Sequence, residues 1–254
     1  MKRRTQFIIT GGVIAGGLTL LTWLERRRPL RVQHEAPLPR RARNLTLGAL
    51  ALGVAQLVHV PEQRETGGLL ELMRVPRALQ TPAAVILMDY TLWWWHRWNH
   101  ETPFLWRFHL VHHIERDMDA STALRFHFGE HFFSSFYRIA QVKIIGASST
   151  AVWLWQTLLF ASILFHHSNV RLPLLFESRL VRWIVTPRMH GIHHSELPAH
   201  ERTNYSSLLS CWDALHRTLL LDVPQETITI GAPGYEGDES LKTALTLPFR
   251  NAGW

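Results

Sequence analysis

The chain has 254 residues, of which 46% are hydrophobic and 19% charged, with a formal net charge of +7. That length suits one or two domains. The totals alone would fit a soluble protein, but the apolar residues stand in long blocks with the charges between them. A basic chain can meet nucleic acid or anionic lipid. There is no basic helix interleaved with polar residues and no aromatic-basic sheet signature of an RNA module, so no nucleic-acid partner is expected. Cys211 is the single cysteine, which excludes an internal disulfide, a zinc ribbon and an iron–sulfur site.

The first apolar block, Phe7 to Leu24, follows Lys2-Arg3-Arg4 and is near spanning length. No cleavage site of small residues precedes Glu25-Arg26-Arg27-Arg28, so a retained transmembrane helix is expected rather than a signal peptide. The second block is Leu45 to Val60. The third is Ala83 to Trp95, entered after Thr81-Pro82, where Pro82 suits a first helical turn. It ends in Trp93-Trp94-Trp95, read as anchors at the bilayer interface. The fourth block, Phe132 to Ala147, carries Arg138 and Lys143, and the fifth is Ala151 to Phe165. A turn at Gly146-Ala147-Ser148-Ser149 makes these two a hairpin. Leu180 to Val185 reads as an interfacial piece.

Seven arginines, from Arg26 to Arg43, lie between the first two blocks, whereas Glu62, Arg64, Glu65, Glu71, Arg74 and Arg77 give the next loop mixed charge. The positive-inside rule puts the arginine-rich loop in the cytoplasm, together with the end of the third block. The polar tail from Asp222 onward reads as a cytoplasmic extension. The expected fold is an all-α integral membrane protein with about four to five transmembrane helices and a cytoplasmic, histidine-rich, metal-binding helical cap. Residues 1–80 hold the N-terminal membrane helices and loops, 81–221 the catalytic domain and 222–254 the tail.

The histidines number 16 and cluster. His96 and His100 form H-x-x-x-H, as do His127 and His131. His109, His112 and His113 form H-x-x-H-H, repeated at His190, His193 and His194, while His166 and His167 are adjacent. On a helix, i, i+3 and i+4 lie near one face. H-x-x-H-H therefore presents two imidazoles together and a third about 100° away, able to reach a second ion. Each such pattern is expected roughly 0.06 times by chance in a chain of this composition. About ten buried imidazoles without a metal would each risk roughly 1–3 kcal/mol for an unpaired group, against a domain stability of ~5–15 kcal/mol.

Imidazole suits Zn, Cu, Fe and Ni, and ten ligands are too many for one zinc. The expected metal ligands are His96, His100, His109, His112, His113, His127, His167, His190, His193 and His194. The two H-x-x-H-H sets with His96 and His100 form the catalytic core. His166 either ligates or hydrogen-bonds a ligand, and His131 either ligates or is a surface histidine. His34, His59, His200 and His216 stand alone and read as surface or supporting residues. Asp89, seven residues before His96, either orients a ligand imidazole or pairs with Arg97. Asn204 either bonds metal-bound solvent or pins a loop. Glu130 is a further residue expected to support the ligands.

These motifs resemble the fatty acid hydroxylase/sterol desaturase superfamily between Asp89 and about Thr218. The resemblance is carried by Asp89-Tyr90, His96-Arg97-Trp98-Asn99-His100, Trp106-Arg107-Phe108-His109-Leu110-Val111-His112-His113, and Met118 to His127 with Glu130. It continues in His167-Ser168-Asn169, Met189-His190-Gly191-Ile192-His193-His194, Asn204-Tyr205 and Trp212-Asp213. Phe128 stands where members often have Pro, His216 where many have Phe, and His131 looks additional.

The resemblance implies two iron ions, O₂ as co-substrate and a lipid substrate, such as a fatty acyl chain or sterol, that is hydroxylated or desaturated. No fused cytochrome b5 domain is visible, so a separate donor of ferredoxin or cytochrome b5 type is expected. The site would face the cytoplasm, from the inner membrane in a bacterium. A membrane zinc hydrolase would need a clear glutamate base, and there is no H-E-x-x-H, although Glu130 sits beside His131. A metal transporter or storage protein would favour ionisable residues across mid-membrane helices.

Overall fold

The computed structural model describes residues 3–58, 68–235 and 239–250, which form helices with no strand among them. His59, Glu62, Arg64, Glu65 and the end of the second apolar block lie outside the described residues. The long helices are α1 (Arg3–Arg27) and α2 (Pro37–Leu57), then, after the short α3 (Leu69–Leu72), α4 (Arg77–Glu101). Next come α5 (Pro103–His113), α6 (Phe128–Ile145) and α7 (Ser149–His167). Short helices follow: α8 (Leu174–Leu180), α9 (Pro187–His193), α10 (Pro198–Glu201), α11 (Cys211–His216) and α12 (Leu241–Thr246).

Local chemistry sets the breaks that matter. Thr102 precedes Pro103 and is extended, which ends α4 and starts α5 with a proline at its first turn. The chain folds back there, so α5 lies against α4. The expected hairpin is present: Gly146 closes α6 in the left-handed region at φ 76°, and the Ser148 hydroxyl caps α7 by accepting from Ala151 N at 3.2 Å. α4 differs from expectation at its start. It begins at Arg77, so Pro82 sits inside the helix and leaves one carbonyl without its helical donor.

α4, α6 and α7 share a core of Met88, Val142, Ile145, Ala151 and Trp155. α1 and α7 pack through Leu21 and Leu164 with Ala120, Ala123 and Val170. Thr10 bonds Thr157 at 2.9 Å, Trp153 Nε1 donates to Thr10 at 3.1 Å, and Gly17 lies against Leu164. These pairs run in the same order along both helices. α1 and α7 are therefore parallel and end on the same side, where the Arg28 carbonyl accepts from Arg171 N at 2.7 Å just beyond His166 and His167. Among the described residues these two helices, Arg4–Arg27 and Ser149–His167, are long and apolar enough to cross a membrane. With Phe7, Ile8, Leu20 and Trp23 exposed on α1, they point to a membrane protein.

Two expectations are corrected. The tail is no free extension. Ile230, Ala232, Ala244 and Leu247 are buried, the last three against Leu47, Leu110, Val111 and Ile114 of α2 and α5. Its apolar residues supply a face that α2 and α5 lack without it. Trp93 is not an interface anchor either: it is 1% exposed, and its Nε1 donates to Asp213 at 2.9 Å. A buried indole N–H needs an acceptor, and Asp213 provides it.

Candidate metal centre

α4, α5, α7 and α9 bring nine of the ten expected ligands into two groups. One is His96, His100, His109, His113 and His193, and the other is His112, His167, His190 and His194. The two H-x-x-H-H sets divide alike. In α5 the i and i+4 imidazoles, His109 and His113, join the first group, and the i+3 imidazole, His112, joins the second. At α9, His190 and His194 join the second group and His193 the first. Each helix thus serves both groups, in opposite senses.

The protonation pattern decides what the groups can do. His112 Nδ1 donates to the Arg125 carbonyl at 3.1 Å, and His167 Nδ1 to the Ile163 carbonyl at 2.8 Å. Each neutral ring then carries its lone pair on Nε2, and these two Nε2 atoms stand 3.0 Å apart. The first group repeats the arrangement. His96 Nδ1 donates to the Tyr205 carbonyl and His193 Nδ1 to the Thr203 carbonyl, each at 2.7 Å, with their Nε2 atoms 3.1 Å apart. His190 Nε2 lies 3.0 Å from that of His167 and 3.1 Å from that of His194.

Facing lone pairs repel unless a cation lies between them. Two nitrogens about 2.1 Å from one ion and at about a right angle would be about 3.0 Å apart. Nε2 of His100, His109 and His113 is buried with no hydrogen-bond partner among the described residues, which suits nitrogens that would ligate a metal. The residues therefore fit two metal ions.

Burial, reinforced by neighbouring imidazoles, holds His112, His113, His190 and His194 well below the usual histidine range. Burial likewise brings His193 down to about 3, against the opposing pull of the Thr203 carbonyl. Neutral rings are the form that binds metal. Carboxylates support the first group. Glu130 accepts from His109 Nδ1 at 3.1 Å, and Glu201 accepts from His100 Nδ1.

The remaining expected residues fall elsewhere. His127 lies outside both groups with both nitrogens engaged. Its Nδ1 accepts from Gly129 N at 2.9 Å, capping α6, and its Nε2 donates to the Leu245 carbonyl at 3.2 Å. His166 is buried beside His190, ring centroids 4.1 Å apart, and belongs to neither group. Among the described residues no hydrogen bond joins Asp89 to a histidine. Its Oδ2 accepts from Trp212 Nε1 at 2.7 Å and Leu209 N at 3.1 Å, while Arg97 pairs with Glu101. Asp89 therefore anchors the chain before α11.

Asn204, at φ 55°, pins a loop by donating to the Met189 and Leu220 carbonyls and accepting from Leu220 N. Asparagine tolerates that left-handed backbone. His131 is part-buried rather than a surface residue. His216 stacks on Trp93, ring centroids 4.0 Å apart.

Residues 81–218 match the family model for fatty acid hydroxylase, more than half of the chain. The chain belongs to the fatty acid hydroxylase family. Among curated relatives, an ornithine lipid hydroxylase of Rhizobium tropici is 32% identical over 184 residues, 70% of this chain and 53% of that protein. Alkylglycerol monooxygenases are similar over a shorter stretch. That of Xenopus tropicalis is 30% identical over 134 residues, 52% of this chain and 29% of the relative. The human protein is 29% identical over 136 residues, 54% of this chain and 29% of the relative. The chain thus spans about half the length of the first relative and under a third of the others. No solved structure matches it.

Sequence reasoning missed Glu201 and the carbonyls of Arg125, Ile163, Thr203 and Tyr205. Carbonyls leave no mark in side-chain identity. Glu201 lies seven residues after His194 on a separate helix, with no spacing that ties it to His100.

Proposed function

We propose that this family member is a membrane-bound di-iron oxygenase that hydroxylates a lipid, using O₂ and electrons from a separate donor. The observation that carries the reading is the pair of facing Nε2 lone pairs in each of two adjoining histidine groups. Iron, when bound, supplies the activation of O₂ that an unactivated C–H bond requires. The proposed ligands are the nine grouped histidines, without His127. The backbone carbonyls and two glutamates fix the tautomers and aim the rings, and the buried setting excludes water. The names of the relatives support hydroxylation over desaturation and a lipid as substrate.

The membrane reading extends to about four to five crossings, with α2, α4 and α6 completing the set between α1 and α7. Alternating crossings make the first and fifth parallel, the relation seen between α1 and α7. Positive charge after α1 supports a metal centre on the cytoplasmic side, of the inner membrane in a bacterium. The donor would be of ferredoxin or cytochrome b5 type.

Protein purified anaerobically from iron-replete cells is expected to carry about two iron ions per chain, from ligands enough for two. Lipids of cells expressing it should gain a species heavier by one oxygen atom, absent with a His194→Ala variant. One ion per chain at full activity would overturn the two-metal reading. An unchanged lipid profile from the iron-loaded protein with a competent donor would overturn the hydroxylase reading.

A further inference from the structure

The arginines where α1 and α7 end are not used by the metal centre. Arg31 crosses from the end of α1 to α9, donating from Nη2 to the Pro187 carbonyl at 3.2 Å and to Gln225 Oε1. It lies directly on Gly191, where a Cβ would meet the guanidinium at 1.7 Å. Glycine at this place in the second H-x-x-H-H set is what admits Arg31.

Arg31 is short of counter-charge. Its Nε and Nη1 are buried without a hydrogen-bond partner. Glu177, the carboxylate that acts on it electrostatically, is itself held by Arg188 at 2.8 Å. Burial, with Arg188 close by, pulls Arg31 down to about 10. An unpaired buried charge is costly, and an adjoining anion removes the cost.

Arg31 lines a cavity of about 370 Å³ with Glu25, Arg26, Arg41, Asn169 and Arg171. Glu25 is occupied, accepting from Ala120 N at 2.7 Å and Asn169 N at 2.9 Å. Arg41 is taken by Asp119 at 2.8 Å and Glu25 at 3.5 Å. Arg26 and Arg171 are exposed, and no ion pair engages them among the described residues. A second cavity, about 390 Å³, adjoins the first at Pro29 and Arg171 and is lined by Arg27 and Arg28.

Exposed apolar side chains flank these arginines along the chain. Leu174, Leu175 and Phe176 of α8 are more than half exposed, as are Trp23 at the end of α1 and Trp183 just after α8. Such a belt belongs at the headgroup level of a bilayer.

We propose that this arginine-lined cavity binds the phosphate-bearing headgroup of an anionic membrane lipid, with Arg31 tying the bound headgroup to the metal-binding helix α9. The proposal rests on the membrane reading of α1 and α7, and not on the metal or the reaction. The occupant supplies negative charge beside Arg31, whose nearest carboxylate, Glu177, is held by Arg188, and the free guanidinium groups of Arg26 and Arg171 supply its hydrogen bonds. Headgroup binding and the placement of His190, His193 and His194 then share one side chain.

The test uses the full chain, metal-loaded, in a neutral detergent. It is titrated separately with short-chain phosphatidylglycerol, short-chain phosphatidylcholine and inorganic phosphate, following thermal stability and metal content. Phosphatidylglycerol is expected to raise the melting temperature, and the other two to leave it unchanged. Arg31→Gln and Arg171→Gln should each weaken phosphatidylglycerol binding about fivefold. Arg182→Gln, which removes an exposed charge outside the cavity, should not.

Equal responses to the two lipids, or equal loss in Arg171→Gln and Arg182→Gln, would overturn the proposal. Inorganic phosphate acting as strongly as the lipid would make this a free-anion site and overturn the lipid assignment. If Arg31→Gln does not fold, Arg171→Gln and Arg26→Gln decide the matter. Metal content reports separately, so a protein with its iron and no headgroup response sinks this inference alone.

Discussion

The two histidine groups draw on the same two H-x-x-H-H segments but are held in place differently. In the first group, carboxylates act directly, Glu130 on His109 and Glu201 on His100. In the second, His190 and His194 leave Nδ1 buried and unpartnered, and His112 is held by the Arg125 carbonyl. Arg125 is fixed in turn by its side chain, which donates to the Val111 carbonyl at 2.8 Å and to Asn44 at 3.2 Å. Asn44 donates to Glu115 at 2.8 Å, and Glu115 pairs with the fully buried Arg40 at 3.0 Å.

Arg40 also pairs with Asp119 at 2.7 Å and donates to the Asp117 carbonyl. Burial works against ionising Asp119, but Arg40, Ser121 and Arg41 outweigh it and keep its carboxyl below the usual range. The second group therefore depends on α2 at a distance, where two rings of the first, His100 and His109, have carboxylates beside them. A carboxylate against a ligand imidazole raises that ligand's basicity. The ion network acts one step further back, through the carbonyl to which His112 donates.

The comparison breaks most completely at α9, which supplies both groups. His193→Ala removes a proposed ligand from the first group on the segment that also carries His190 and His194. Activity is expected to fall to background and metal content to drop, measured by lipid and elemental mass spectrometry at matched expression. A wild-type level of both would remove His193 from the ligand set.

Arg40→Met is next. It leaves Glu115 buried without its cation and Asp119 with Arg41 alone, at a cost of about 3–5 kcal/mol. Thermal denaturation should show this as a large drop in melting temperature, with metal lost first from the second group. An unchanged melting temperature would mean that the network does not support the fold.

Glu130→Ala should weaken metal affinity by about 10–100-fold, confined to the first group. Chelator competition followed by iron stoichiometry checks this, and uniform loss from both groups would abolish the distinction between them. His127→Ala removes a helix cap worth about 1 kcal/mol and no ligand. Its melting temperature should drop slightly with full metal content, and loss of one ion would restore His127 as a ligand. His200→Ala should change least. Among the described residues that ring makes one long hydrogen bond, 3.3 Å to the Ser195 hydroxyl, and metal and activity are expected at wild-type levels.

Much of the centre was legible in the chain because helical periodicity is local. The i, i+3, i+4 spacing in His109-x-x-His112-His113 and His190-x-x-His193-His194 states that two rings go one way and one another. The structure divides them in that manner. The hairpin at Gly146 and Ser148 was legible for the same reason, since a left-handed glycine and a serine cap are properties of adjacent residues. The H-x-x-x-H of His127 and His131 misled because the same spacing serves a capping residue. Only the backbone around Gly129 and the carbonyl of Leu245 show that both nitrogens of His127 are committed.

The sequence by itself determined the helical class, the family and the residues able to face a metal. Tertiary structure alone decided which histidine joins which group, that Asp89 serves Trp212 and Leu209 rather than a histidine, and that the tail covers α2 and α5. The physical reason is range. Periodicity and capping act over a few residues and can be read along the chain. Pairing a lone pair with a lone pair across 55 residues, as His112 does with His167, depends on how separate helices pack, which no local pattern encodes.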